Sequence, residues 1–416
     1  MAPFLTTVTN TIRSVDISSP DTTAEYFAAQ WVNPGDIFSV LLLLGPEIVQ
    51  QAVAQLAGRS ITPVAFSFGW VAYSTKALKL ALTEIDGRLM PDTDMANTMV
   101  IAAGTGHVRT TSNWILGRLL RDMDDRDDSS AKNEQPHVPP SRDDLPTAET
   151  EKRLNHSMPW QALRISVFEV VEEPDCLHGV PHRDWLWFSG FIVITIQLVI
   201  AMLPWVFHGE WGTFLITAYG NFLALVGASL PQWKREKWSC PKQGGATVTI
   251  TQGNGSRHAV VILGKKGVGL DLEILAQGTR TAPPSRSTRF AAGVLLVQWL
   301  GLLITAAGLK IDTWYLLGVG ALGSLQNLIA AGAPRQPRAL GVHIKDTGRP
   351  ISGTRVAHVL KMAEEQYPGV GISLVPIFFP GSMRIREQDF AFWRDAQERI
   401  MAPNQHGTRL DNLPPL

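Results

Sequence analysis

Cysteine is nearly absent from this 416-residue chain. Only Cys176 and Cys240 occur, far apart in sequence, so a disulfide framework is excluded. Net charge is absent as well. Lys plus Arg balance Asp plus Glu at 37 each, which removes any global electrostatic argument for nucleic acid or for an acidic partner. The opening MAPFLTTVTNTIRSVDISSP has no basic start followed by an apolar core, and it does not read as a signal peptide. Twin-arginine, ER-retention and prenylation signals are missing too. So are the usual marks of catalysis: no Ser/His/Asp signature, no His-rich box and no paired Asp motif for prenyl diphosphates. GNGS (253–256) and GKKGVG (264–269) are glycine-rich turns without the Gly-x4-Gly-Lys-Ser/Thr of a phosphate cradle. No cofactor is expected.

Four long stretches lack charge entirely. They are 185–207, 212–231, 290–309 and 313–333, and each meets the roughly 20 apolar residues needed to cross a hydrocarbon core of about 30 Å. HGEW (208–211) and KID (310–312) are too short to do anything but reverse the chain, so the stretches pair as hairpins 185–231 and 290–333. Segment 232–289 carries 10 Lys or Arg against three acids, while the two turns hold only Lys310. Positive charge stays in the cytosol, so the turns should face out and the long segments in. Trp185, Trp187, Trp205, Trp211, Trp233, Trp238 and Trp314 fall at or near span ends, where an indole prefers the headgroup layer. The hairpins also share a spacing: Trp211, Gly220 and Pro231 are separated by 9 and 11 residues, as are Trp314, Gly323 and Pro334.

A further hairpin over 36–82 is less regular. Pro46 and Glu47 interrupt its first half, and Glu47, Gln51 and Gln55, spaced by four, share one helix face. It either spans or lies at the interface, with both ends on one side. Lys76 and Lys79 can snorkel toward the cytosolic end.

The remainder alternates strands and helices. Strands are expected at 162–171, 246–252, 257–264, 269–275, 339–346 and 371–379, with Asn254-Gly255 as a two-residue hairpin turn. Helices are expected at 352–366 and 386–400, and a strand followed by a helix within 83–120. No single segment has enough core to stand alone. The expected fold is therefore an α-helical multi-pass membrane protein of helical hairpins, with a small cytoplasmic α/β domain assembled from 83–120, 154–184, 232–289 and 334–402. Segments 1–35, 121–153 and 403–416 lie outside it, 121–153 reading as a disordered charged linker.

Polar groups inside apolar stretches are the first site candidates: Gln51, Gln197, Asn221, Gln298 and Asn327 should face the bundle interior, chiefly as interhelical glue. Glu47, ionisable near the middle of a span, is the catalytic candidate. Cys176, His178 and His182 have a spacing that could ligate zinc, although no fourth ligand is evident and the neighbouring headgroups offer a bland alternative. Cys240, close behind a span, could carry palmitate. Asn155 and Asn254 head glycosylation sequons on the predicted cytosolic side, where no glycan is added.

RDWLWFSGFIVITIQL, GEWGTFLITAYGNFLALVGASLPQWKREKW, TQGNGSRHAVVILG and YPGVGISLVPIFFPG, together with WVNPGDIFSVLLLLG and ITPVAFSFGWVAYS near the N-terminus, resemble a group of fungal multi-pass membrane proteins over nearly the whole chain. That group is largely without assigned activity and supplies no catalytic residues. Some relatives are encoded beside natural-product pathways, which implies a biosynthetic or accessory role; an accessory or scaffold protein in secondary metabolite biosynthesis is the first expectation, its strands and charged loops serving partner docking. The expected partners are the lipid bilayer and other pathway or membrane proteins, not nucleic acid. A membrane-embedded enzyme such as a cyclase, with a pocket among Glu47, Gln51 and Asn221, and a small-molecule transporter are the alternatives.

Overall fold

A computed structural model describes residues 45–83, 88–133, 161–173, 177–277, 283–309, 311–381 and 387–401. In chain order the elements are α1 (Pro46–Leu56), α2 (Gly69–Leu82), β1 (Met99–Ala102), β2 (Val108–Thr110), α3 (Trp114–Asn133) and β3 (Leu163–Val170). Then come α4 (Trp185–His208), α5 (Gly212–Ala228), α6 (Pro231–Lys237), β4 (Val248–Thr251), β5 (His258–Leu263) and α7 (Leu272–Ala276). The last are α8 (Arg286–Ala307), α9 (Thr313–Gly332), β6 (Ile344–Asp346), β7 (Ile351–Gly353), α10 (Val356–Gln366), α11 (Val370–Phe378) and α12 (Glu387–Met401).

Among the described residues, four helices are long and apolar enough to cross a membrane: Trp185–His208, Gly212–Lys237, Arg286–Ala307 and Thr313–Gly332. Their ends follow local chemistry. Asp184 caps α4 by accepting from Trp187 N, Ser285 caps α8 by accepting from Thr288 N, and Gly209 closes α4 in the left-handed region. On α4 the outward stripe is large and apolar (Trp185, Phe188, Ile192, Ile196, Val199, Met202, Val206), at helical spacing. The inward stripe is Leu186, Gly190, Ile194, Gln197, Ala201 and Pro204. Water would not solvate such an exterior well; hydrocarbon would.

The helices close a ring in the order α4, α5, α8, α2, α1, α9 and back to α4. Thus α8 and α9, consecutive in sequence, are not packed along their length, because α1 and α2 are wedged between them. The 36–82 hairpin is described only from residue 45. Its described part is two helices of 11 and 14 residues, about 16 and 21 Å long, each too short to span. Between them residues 62–68, in neither helix nor strand, run through the middle of the ring, almost wholly buried. The start of α1 meets the start of α2 inside, Gly45 against Gly69.

Beyond one end of the ring lies a seven-stranded mixed sheet in the order β2-β1-β4-β5-β3-β6, with β7 also pairing to β3. Only β3 and β5 are parallel. Strand alternation builds two cores. Val100, Val248, Ile250, Val260 and Ile262 face α3, α7 and Trp238, whereas Leu163, Ile165, Val167, Ala259 and Val261 face α10, α11 and Trp393 of α12.

Several sequence expectations change here. Residues 371–379 form helix α11, not a strand, because the Glu364 carboxylate accepts from Gly369 N and Ile372 N and caps it. Residues 269–275 hold the short helix α7, capped by Asp271. Helix α3 reaches Asn133, well into the stretch expected to be a disordered linker. The β4–β5 connection is longer than two residues: Thr251 pairs with Ala259, and Ser256 N donates to Gly253 O around Gly255, at φ 96°. Trp233 and Trp238 are core residues rather than interface anchors. Residues 1–44, 134–160 and 402–416 lie outside the described residues, and with them the first half of the 36–82 hairpin as far as Leu44, Asn155 and the tail.

Candidate functional site

Segment 62–68, in neither helix nor strand, poses a bonding problem, since backbone groups buried without partners cost about 1–3 kcal/mol each. Amides projecting from the ring solve it. Gln197 Nε2 donates to Phe66 O and to Val319 O, both at 2.8 Å. Asn221 Oδ1 accepts from Phe66 N at 3.0 Å, and Gln326 Oε1 accepts from Ala65 N at 3.2 Å. Trp70 Nε1 donates to Ala65 O at 3.1 Å, Asn327 Nδ2 to Ser67 Oγ at 3.0 Å, and Ser229 Oγ accepts from Thr62 N at 3.1 Å. The segment is caged.

Close approach needs glycine, and this accounts for the doubled spacing. A Cβ on Gly220 would meet the Phe66 ring at 2.7 Å, and one on Gly323 would meet Phe66 O at 1.7 Å. The equivalent glycines of the two hairpins therefore grip the same residue from two sides, while Trp211 and Trp314 stay exposed at the turn end.

The sequence candidates divide accordingly. Gln197, Asn221 and Asn327 enter the cage. Gln298 does not face the interior: it is exposed on α8 and satisfied by Tyr219 Oη at 2.8 Å. Glu47 lies on the flank, its side chain 69% exposed and paired with Lys76 at 2.9 Å, and Gln51 is half-buried. The pocket imagined among Glu47, Gln51 and Asn221 is not assembled, because Asn221 is turned inward and Glu47 outward. Gln326 and Ser229 were missed, although Gln326 adjoins Asn327 in an otherwise apolar run.

A charged seam joins the ring to the sheet. Arg335 forks onto Asp184 at 2.7 and 2.8 Å, donates to Gln55 O, and offers its own N–H to Asp122 Oδ2 at 2.9 Å. Lys237 Nζ donates to Gln55 O and Ala57 O, so two cations satisfy the carbonyl end of α1. Arg118 donates to Ala331 O and to Asp94, and Arg121 to Asp122 and Gly332 O. Burial pushes the Arg118 guanidinium down and the Asp122 carboxyl up from their ordinary values. Nothing local in the sequence announces this seam, because its partners lie up to 280 residues apart.

Cys176 lies outside the described residues. His178 bonds Val171 O at 3.0 Å and packs edge-on against His343, whereas His182 is exposed. Among the described residues no group of three potential ligands could hold a metal ion. Burial, with the bond to Val180 O opposing it, holds His343 below its ordinary 6.5, and the neighbouring His178 and His182 lower it further. The stability this contributes is complete above pH 6.5 and lost as pH falls below it, since the unfolded imidazole is protonated first. His343→Gln should therefore flatten the acid side of the unfolding midpoint against pH.

Cys240 packs against the core of the sheet, and burial, then Asp271, pushes its thiol up to about 12. A half-buried thiol that resists ionisation is a slow nucleophile, so acylation there would be slow. Maleimide should label Cys240 far more slowly in native than in denatured protein; equal rates would refute its burial.

A cavity of about 20 Å³ beside Trp70, Tyr73 and Trp299 has room for about one water. Compared with known protein families, with curated proteins and with solved structures, the chain matches none.

Proposed function

We propose that this chain is an integral membrane protein whose helical ring is a closed anchor and whose sheet unit, on the cytosolic side, docks other membrane or pathway proteins: an accessory or scaffold protein. One observation carries this reading. Among the described residues, the amides inside the ring bond to residues 62–68 and to the ring helices, where a substrate site would leave them facing open space. The excess of Lys and Arg in 232–289 supports the cytosolic placement. Secondary metabolite biosynthesis in a fungus is the setting that the sequence resemblance implies.

The test is metabolite profiling of a deletion strain together with the membrane recovery of co-expressed pathway enzymes. A scaffold predicts lower recovery and lower flux without one accumulated intermediate, and rescue by Glu47→Gln. An intermediate that the purified, reconstituted chain converts by itself would replace this reading with the enzyme one. A small-molecule carrier is the second reading, and interrupted helices favour it. The N-termini of α1 and α2 meet inside the ring, as half-helices do at carrier sites, and Gln197 Oε1 and Thr217 Oγ1 are buried without a protein partner. Uptake by vesicles containing the purified chain would decide for it.

A further inference from the structure

Where the first spanning helix begins and the fourth ends, an open recess of about 730 Å³ lies beside the charged seam. Its wall carries four arginines, Arg126, Arg183, Arg335 and Arg338, against two aspartates, Asp125 and Asp184. Arg335 is 3% exposed and its charge is answered by Asp184. The other three are not answered by any carboxylate among the described residues. Arg126 donates to Arg335 O at 2.6 Å, Arg338 donates to Gln336 Oε1 at 2.6 Å, and Arg183 stacks over the Trp187 ring at 4.9 Å. Three guanidiniums from separate parts of the chain are thus held around one space, each with unspent donors. A bound anion would accept from those donors.

The surroundings say which anion. Trp185 lines the same recess with its side chain 61% exposed, at the end of a helix whose outer stripe is apolar. That is the depth at which an indole sits among headgroups if the helix spans. Forked guanidiniums match phosphate oxygens, and basic pockets beside span ends take phosphorylated headgroups. A volume of this size falls in the range of about 300–1,000 Å³ typical of ligand sites.

We infer that the recess formed by Arg126, Arg183 and Arg338 beside Trp185 binds the phosphate-bearing headgroup of an anionic lipid. The inference rests on the membrane reading above but not on the scaffold role. The bound lipid would tie α3, α4 and the turn after α9 together, fixing the sheet unit to the membrane surface.

The test uses the full chain in phosphatidylcholine nanodiscs. Soluble short-chain phosphatidylinositol phosphate is titrated against its choline counterpart and against inorganic phosphate. The wild type should bind the inositol phosphate lipid saturably, and Arg183→Gln with Arg338→Gln should weaken it by about tenfold or more. Arg349→Gln, on the sheet unit, should leave binding unchanged. Equal affinity in the double variant would overturn the site, as would equal affinity for the choline lipid. Inorganic phosphate binding as tightly as the lipid would overturn the lipid assignment. Should the double variant misfold, a photoactivatable anionic lipid crosslinked to the wild type decides instead: adducts at 182–186 or 336–339 support the site, and adducts spread over the outer stripe overturn it. A chain that stays monodisperse without detergent would sink the membrane reading itself, a separate failure.

Discussion

Gly323→Ala is expected to destabilise the ring by about 3 kcal/mol or more. The new Cβ would lie 1.7 Å from Phe66 O and 2.7 Å from Gln197 Nε2. Neither neighbour can swing aside, since one is backbone and the other is bonded to it. Relief would have to move the 62–68 segment, and the amides that bond to it would lose their geometry together. The readout is the midpoint of unfolding in detergent, by heat or by titrated SDS. Gly318→Ala and Gly301→Ala are the controls, because a Cβ there meets nothing within 4 Å. Helix propensity alone should make those two neutral or stabilising by up to about 1 kcal/mol. A loss at Gly318 equal to that at Gly323 would refute the cage.

Arg335→Ala should cost about 3–5 kcal/mol, the range for removing one partner of a buried ion pair. The substitution strands Asp184 and leaves Gln55 O with Lys237 alone. Asp184 cannot relax freely, because it also caps α4 through Trp187 N. Asp184→Asn keeps that cap while removing the charge. A double-mutant cycle between the two should therefore show a coupling of about 2 kcal/mol. Additive losses would mean that the fork is a bystander and that packing alone joins the ring to the sheet.

These residues also mark how far a linear reading reaches. Gln197, Asn221 and Asn327 are legible as polar groups that must find partners in an apolar setting. Their partner is not, since the carbonyl of Phe66 lies 131 residues before Gln197 and carries no signature in sequence. Glu47 reads as an ionisable group within a span and becomes half of a flank pair, because α1 stops after 11 residues and turns its first turn outward. VGISLVPIF has the composition of a strand and forms a helix. Glu364, on the preceding helix, supplies the cap that residue type alone could not disclose.

What the chain determines by itself is whatever depends on runs of neighbours. Four long helices follow from uninterrupted apolar residues, and their caps from Asp184 and Ser285. Strands at 163–170, 248–251 and 258–263 follow from β-branched alternation. Tertiary structure alone decides that α1 and α2 part the second hairpin, that 62–68 threads the ring without being helical, and that the sheet closes from strands lying before, between and after the spans. The reason is energetic: a backbone that is neither helix nor strand is tolerated in an apolar interior only when distant side chains complete its hydrogen bonds, and that condition is met in space and nowhere in the local sequence.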